Sequence, residues 1–446
     1  MDCPHEGICL FSLVIQISEW GSILQRSARH GLRHIVLGLL MASVLAACAG
    51  RPDGALIPVP DDVAGTSRVN MMVATVRQRV DGPDVFSGER GGKVSFLEMD
   101  VSIPPDNARK PGEVQWPKSV PGNPATDFVT TRLEDMTQPQ AETWFNKQIK
   151  KTPGRHALVF VHGYNQRFDD AVFRFAQIVH DSGASVTPVL FTWPSRGSLL
   201  AYGYDRESTS YSRDALERLL TFMANDPNVS EVSVLAHSMG NVVTLEALRQ
   251  MAIRNGRIAP KIKNVMLAAP DVDVDVFRSV FNEIGDKRPN FTMFVSQDDK
   301  ALKVSKRVWG GVPRIGQVDP TQEPYRSEFE RNKITVVDLT KLDTSDPLNH
   351  GKFAASPVVV QSIGVRLAQG QAMTDSRVGF GEHIVQLTTD AASTVGTAAG
   401  LVIAAPVAVV DSNTRSSYGN HIGQLGNSVS STVESGGGVL SLPSGR

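Results

Sequence analysis

From residue 156 onward the apolar positions fall into short runs separated by stretches with helical spacing. The runs are residues 156–164, 186–192, 232–236, 262–269, 291–296 and 334–339. Most are continuously apolar rather than alternating, the pattern of strands covered on both faces. Residues 168–181 set Phe168, Val172, Phe175, Ala176 and Val179 on one helical face, and residues 212–224 and 357–367 read as further helices. Strand alternating with helix predicts the α/β class: an α/β-hydrolase fold with a mostly parallel central sheet and helices on both faces. Residues 70–79 and 93–103 read as two earlier strands, followed by a Pro-rich stretch over 104–124. They begin the sheet, wrap its edge or shape a cap over a pocket.

The pattern places chemistry at the strand ends. Residues 232–240 read VSVLAHSMG, a strand, then a serine between small residues, then a helix. This is the order of a nucleophile elbow, whose turn requires small side chains two before and two after the serine, here Ala236 and Gly240. Ser238 is the candidate nucleophile. Residues 156–164 end in His-Gly-Tyr, a pair that turns the next N–H toward such a site. Tyr164 and Met239 N–H are therefore the candidate oxyanion donors; the plainer reading makes Gly163 a strand terminator and His162 a packing residue. The strand at 291–296 is followed by two aspartates. Asp299 is the candidate acid, with Asp298 and the earlier Asp271 as alternatives. The candidate base is His350, which follows the strand at 334–339 and is the sole histidine between His237 and His383. The order Ser238, Asp299, His350 is that of α/β-hydrolases.

Composition changes the picture at both ends. Residues 33–48 (RHIVLGLLMASVLAAC) follow Arg26 and Arg29 and end in Leu-Ala-Ala-Cys. A basic flank, a short apolar core and this ending read as a lipoprotein signal with Cys48 as the lipidated residue, which predicts anchoring in the bacterial cell envelope. Residues 1–48 are thus an N-terminal extension plus signal peptide, 49–68 a linker, and 69–370 the hydrolase domain. Within that domain, residues 69–150 supply the edge or cap. Residues 371–446, rich in Gly, Ser, Ala and Val, are a low-complexity tail whose protein partner is unknown. The 446 residues carry 45 basic and 46 acidic side chains, so no long-range attraction to nucleic acid is implied. The ten histidines are scattered and no metal-ligand motif occurs, so neither metal nor cofactor is expected.

The blocks FVHGYN (160–165), LFTWPSRG (190–197), YDRES (204–208), LAHSMGN (235–241), APDVD (269–273) and VSQDDKAL (295–302) together resemble a bacterial family of α/β-hydrolases. That family is esterase- or lipase-like and of unknown physiological role. The resemblance spans roughly residues 70–367 and implies Ser238 as nucleophile, Asp299 as acid and His350 as base. It implies a small-molecule or lipid ester as substrate, without saying which. An acyltransferase using the same residues, and a non-catalytic envelope lipoprotein keeping the scaffold, remain alternatives. Trp193, Tyr202 and Tyr204 either line the pocket mouth or pack a loop. Asp205 is expected to pair with Arg206.

Overall fold

The computed structural model describes residues 52–60 and 63–368. The signal segment with Cys48, part of the linker and the tail over 371–446 lie outside the described residues. Contacts divide the chain at Pro52/Asp53, and the sheet and the candidate site belong wholly to the second unit.

Nine strands form one sheet. In chain order they are β1 (Ser67–Arg79), β2 (Phe86–Ile103), β3 (Val129–Met136), β4 (His156–Val161), β5 (Thr187–Thr192), β6 (Glu231–His237), β7 (Ile262–Ala268), β8 (Asn290–Val295) and β9 (Ile334–Asp338). Their spatial order is β3-β2-β1-β5-β4-β6-β7-β8-β9. Only the β1–β2 and β2–β3 pairings are antiparallel; the others are parallel. The expected mostly parallel sheet is present, and residues 67–136 build one edge of it. The Pro-rich stretch runs between β2 and β3, and β3 itself carries exposed Arg132, Glu134 and Asp135, which hide it from an apolar-run search.

Helices cover both faces. Those of the first face are α1 (Gln138–Lys151), α3 (Tyr202–Asn225), α4 (Gly240–Asn255) and α5 (Val274–Ile284); α2 (Phe168–Ser182) lies on the other. Also on the second face are α8 (Lys352–Ala355) and α9 (Pro357–Ala368), while α6 (Lys300–Val308) and α7 (Tyr325–Arg331) lie between the late strands. Strand side chains alternate between the two cores with period two. In β4, Ala157, Val159 and Val161 face the first core, and Leu158 and Phe160 the second. Burial on both sides is why β4 reads as an unbroken apolar run. The parallel strands also end together, so every loop that follows one opens at the same rim.

Candidate active site

At the end of β6 the backbone turns sharply. Ser238 has φ +52°, a left-handed conformation that costs a non-glycine residue about 1–3 kcal/mol. Several bonds hold it there. The Ser238 N–H donates to Ala268 O (2.9 Å), while its carbonyl accepts from Asn241 N (3.1 Å) and Asp271 N (3.2 Å). The buried Asn241 side chain adds Nδ2 bonds to Ser238 O (2.9 Å) and Ala268 O (3.1 Å). Asn241 is thus a staple of the turn that residue-type reasoning missed; its place three after the serine was the available signal.

Two glycines are required by close approach. A Cβ on Gly240 would stand 2.3 Å from His162 O, so α4 can begin beneath the end of β4 only with glycine there. A Cβ on Gly163 would stand 2.8 Å from Ser238 Cβ. The strand end carrying Tyr164 therefore lies directly against the serine. Neither the Tyr164 nor the Met239 N–H has an acceptor among the described residues.

Facing this turn is the loop that follows β9. His350 Nδ1 donates to Asp299 Oδ2 at 2.7 Å, and Asp299 is fully buried, its Oδ1 capping α6 through Leu302 N (2.9 Å). Burial disfavours the His350 cation, but the Asp299 charge and hydrogen bond outweigh it and raise the pKa above 6.5. His237, the residue before Ser238, donates from Nε2 to His350 O (3.2 Å) and packs its ring 4.7 Å from the His350 ring. That contact brings the Asp299–His350 pair up to the elbow. Burial, then the neighbouring His350, pushes the His237 pKa well below 6.5, so His237 is a neutral donor.

The alternative acids have other partners. Asp298 binds Ser296 Oγ (2.5 Å), Asn349 Nδ2 (2.8 Å) and Lys352 Nζ (2.9 Å). Asp271 accepts from Tyr202 Oη (2.7 Å) and Ser305 Oγ (2.6 Å), with Arg314 Nε at 3.4 Å.

A second buried cluster supports the Tyr164 loop. Arg77, almost wholly buried on β1, donates to Thr192 Oγ1 (2.8 Å), Ser195 O (2.8 Å) and Gln166 O (2.8 Å), and lies 3.3 Å from His162 Nε2. Burial lowers its pKa to about 10, with Asp205, Asp170 and Asp169 opposing. His162 is neutral: Nδ1 donates to Gly163 O (2.8 Å) while Nε2 accepts from Trp193 N (3.1 Å). Burial and Arg77 hold its pKa well below 6.5. Trp193 is fully buried, its ring stacked on His162 at 5.1 Å, so it packs under the loop rather than lining a mouth. Asp205 is also buried and does not pair with Arg206. Its carboxylate accepts from Ser195 Oγ (2.5 Å), Arg196 N (3.0 Å) and Asn165 N (3.4 Å). The WPS and YDRES blocks are therefore two halves of one scaffold. Of the tyrosines, Tyr204 lies under Arg196 (3.7 Å), while Tyr202 sits between Tyr164 and Trp309.

A family model described as "Alpha/beta hydrolase of unknown function (DUF900)" matches residues 137–366, just over half of the chain. The chain belongs to this family. The DUF900 match runs from the start of α1 into α9 and takes in Tyr164, Ser238, Met239, Asp299 and His350; the β1–β3 edge with Arg77 precedes it. A similar protein is the uncharacterized protein alr1448 of Nostoc sp., 28% identical over 167 residues, covering 31% of this chain and 44% of that one. The chain thus spans under half the length of this relative. Among solved structures, a lipase-esterase related protein from Clostridium acetobutylicum is 12% identical over 42% of this chain and 74% of that one, with a TM-score of 0.20. At that score the likeness carries no weight, and the fold rests on strand order.

Among the described residues no group of three or more His, Cys, Asp or Glu side chains is placed to hold a metal ion. A groove of about 810 Å³ between β2, β3, α1 and α3, lined by Phe96, Met136 and Phe222 among others, includes none of the elbow or Asp299–His350 residues.

Proposed function

We propose that the chain is a serine hydrolase acting on carboxylic esters. The observation that carries this reading is the 2.7 Å Asp299–His350 bond, set against His237 beside a serine in left-handed conformation. With Nδ1–H bound to Asp299, the His350 Nε2 lone pair is free to take the Ser238 Oγ proton as Oγ attacks the ester carbonyl. The oxyanion is received by the Tyr164 and Met239 N–H groups, each worth about 3–4 kcal/mol in such roles. His350 then returns the proton to the leaving alcohol. Water, deprotonated by the same nitrogen, frees the acid and restores Ser238. Asp299 holds the ring and balances its charge.

We further propose that Cys48 is lipidated and tethers this hydrolase in the cell envelope, on the strength of the basic flank, the short apolar core and the Leu-Ala-Ala-Cys ending. Among the described residues no helix is long and apolar enough to cross a membrane. One experiment addresses both proposals: fluorophosphonate labelling of the full chain in fractionated cells. Labelling should vanish in Ser238→Ala and His350→Ala, and should move from the membrane to the soluble fraction in Cys48→Ser. A folded wild type that takes no label would sink the hydrolase reading, and an unmoved Cys48→Ser would sink the tether.

A further inference from the structure

Eleven large apolar side chains are exposed among the described residues, and six of them stand on segments that touch the candidate site. Leu199 and Leu200 precede α3, with Leu200 98% exposed; Val304, Val308 and Trp309 lie on or just after α6; Leu348 comes two before His350. Each segment is tied to the site by a named contact. Tyr164 Oη donates to Leu199 O (2.5 Å), and the Tyr202 ring stands 5.0 Å from Tyr164 and 5.4 Å from Trp309. Asp299 caps α6, and Lys300 N donates to Leu348 O (2.9 Å). Apolar side chains crowded at one rim mark an interaction surface, whereas the same number scattered singly would not.

The charge of α6, the helix whose end carries half of the row, says what it meets. Helix α6 turns Leu302 and Ser305 inward and leaves Val304 and Val308, one turn apart, outward. Its nine residues hold Lys300, Lys303, Lys306 and Arg307 and no carboxylate. A second copy of the chain would bring the same cations against themselves. Anionic phospholipid instead satisfies both features: apolar side chains enter the acyl boundary while lysine and arginine stems reach back to the phosphates.

The geometry points to an interfacial surface in which α6, Leu199, Leu200 and Leu348 dock on an anionic bilayer and present the Ser238 rim to lipid esters held there. The substrate class rests on the hydrolase reading above; the docking does not.

The test is a local fluorescence probe, because the N-terminal segment can itself meet lipid. The full chain carrying Cys3→Ser, Cys9→Ser and Cys48→Ser receives an environment-sensitive fluorophore at Val304→Cys or, as control, at Asn255→Cys, the exposed last residue of α4. Vesicles are phosphatidylcholine alone or with about one third phosphatidylglycerol. Emission at position 304 should rise roughly two- to threefold and shift to the blue on anionic vesicles only. It should not change at position 255, and it should be lost in the Lys303→Glu/Arg307→Glu background and in high salt. No rise at 304, an equal rise at 255, or a rise untouched by charge reversal would overturn the proposal. So would a blue shift that grows with protein concentration without lipid, which would assign the row to a second copy. Fluorophosphonate labelling of the same unlabelled variants separates the two readings. A chain that docks but takes no label keeps the surface and loses the hydrolase, and the converse loses only the surface.

Discussion

The two shoulders of Ser238 are both built around a buried cation, but they are built differently. On the Tyr164 side, Arg77 binds neutral groups, the Thr192 hydroxyl and the carbonyls of Ser195 and Gln166, all packed inside the sheet edge. On the His350 side, Lys352 is almost as buried, donating to Leu339 O (3.0 Å) and Thr340 O (3.1 Å), but it also pairs with Asp298, whose side chain is 39% exposed. The loop between them hangs on one carboxylate: Asp346 accepts from Leu348 N (3.0 Å), His350 N (2.6 Å) and Gly351 N (2.6 Å). The Tyr164 shoulder is therefore fixed from within, through bonds from Arg77 to a hydroxyl and two backbone carbonyls. The His350 shoulder is fixed nearer the surface, by the Lys352–Asp298 pair and the Asp346 side chain. Such a division suits chemistry in which the oxyanion donors stay put while the base changes protonation.

The strongest way to break this comparison is at Asp299, the proposed acid. Asp299→Asn should lower the rate of Ser238 labelling by about 10³–10⁴-fold, because the amide no longer balances or orients the His350 ring. Asp298→Asn, one residue away, should cost no more than about tenfold, because its carboxylate serves Lys352 and Asn349 rather than His350. Comparable losses in the two variants would mean that the loop, and not the carboxylate on His350, is what matters.

The cations come next. Arg77→Met should destabilise the fold by about 3–5 kcal/mol in urea denaturation, leaving the carbonyls of Ser195 and Gln166 buried without a donor. Lys352→Met should cost only about 1–3 kcal/mol, since Asp298 can turn to water. Equal costs would show that the two shoulders are equally cross-linked. A kcat-against-KM split sharpens this further, because a displaced Tyr164 N–H acts on the transition state and should reduce kcat.

Much of the geometry of this candidate site was legible in the residues. Ala236, Ser238 and Gly240 carry the steric demand of the elbow on their faces, and Asp299 and His350 follow strands that are plainly apolar. What escaped were groups whose role depends on a distant partner. Arg77 sits in a strand as an ordinary polar residue, and nothing local shows that β1 lies next to β5 and brings it to Thr192 and Ser195. Asp205 suggested its neighbour Arg206, but a residue nine positions earlier holds it. His237 was assigned no role in the sequence, yet its ring packs against that of His350. Helix α1 and strand β3 went unread because their polar faces dilute the apolar signal.

The smallest effect, and the finest division between the shoulders, is in pH. His350 has a folded-state pKa above 6.5, so labelling should climb with pH as its ring becomes neutral and level off once that value is passed. Its stability contribution runs the other way. A histidine with a raised pKa stabilises the fold fully below its unfolded value and loses that contribution as pH rises through the folded one. The difference in unfolding free energy between wild type and His350→Gln should therefore shrink as pH rises from below 6.5 through the raised folded-state value. On the other shoulder His162 has a depressed pKa, so its contribution is present above 6.5 and lost as pH falls through the folded value. Urea titrations of wild type and His162→Asn should accordingly diverge with rising pH, while those with His350→Gln converge. If both pairs moved in the same direction, the two histidines would share one electrostatic environment, and the contrast between the inward-facing Tyr164 shoulder and the surface-facing His350 shoulder would be lost.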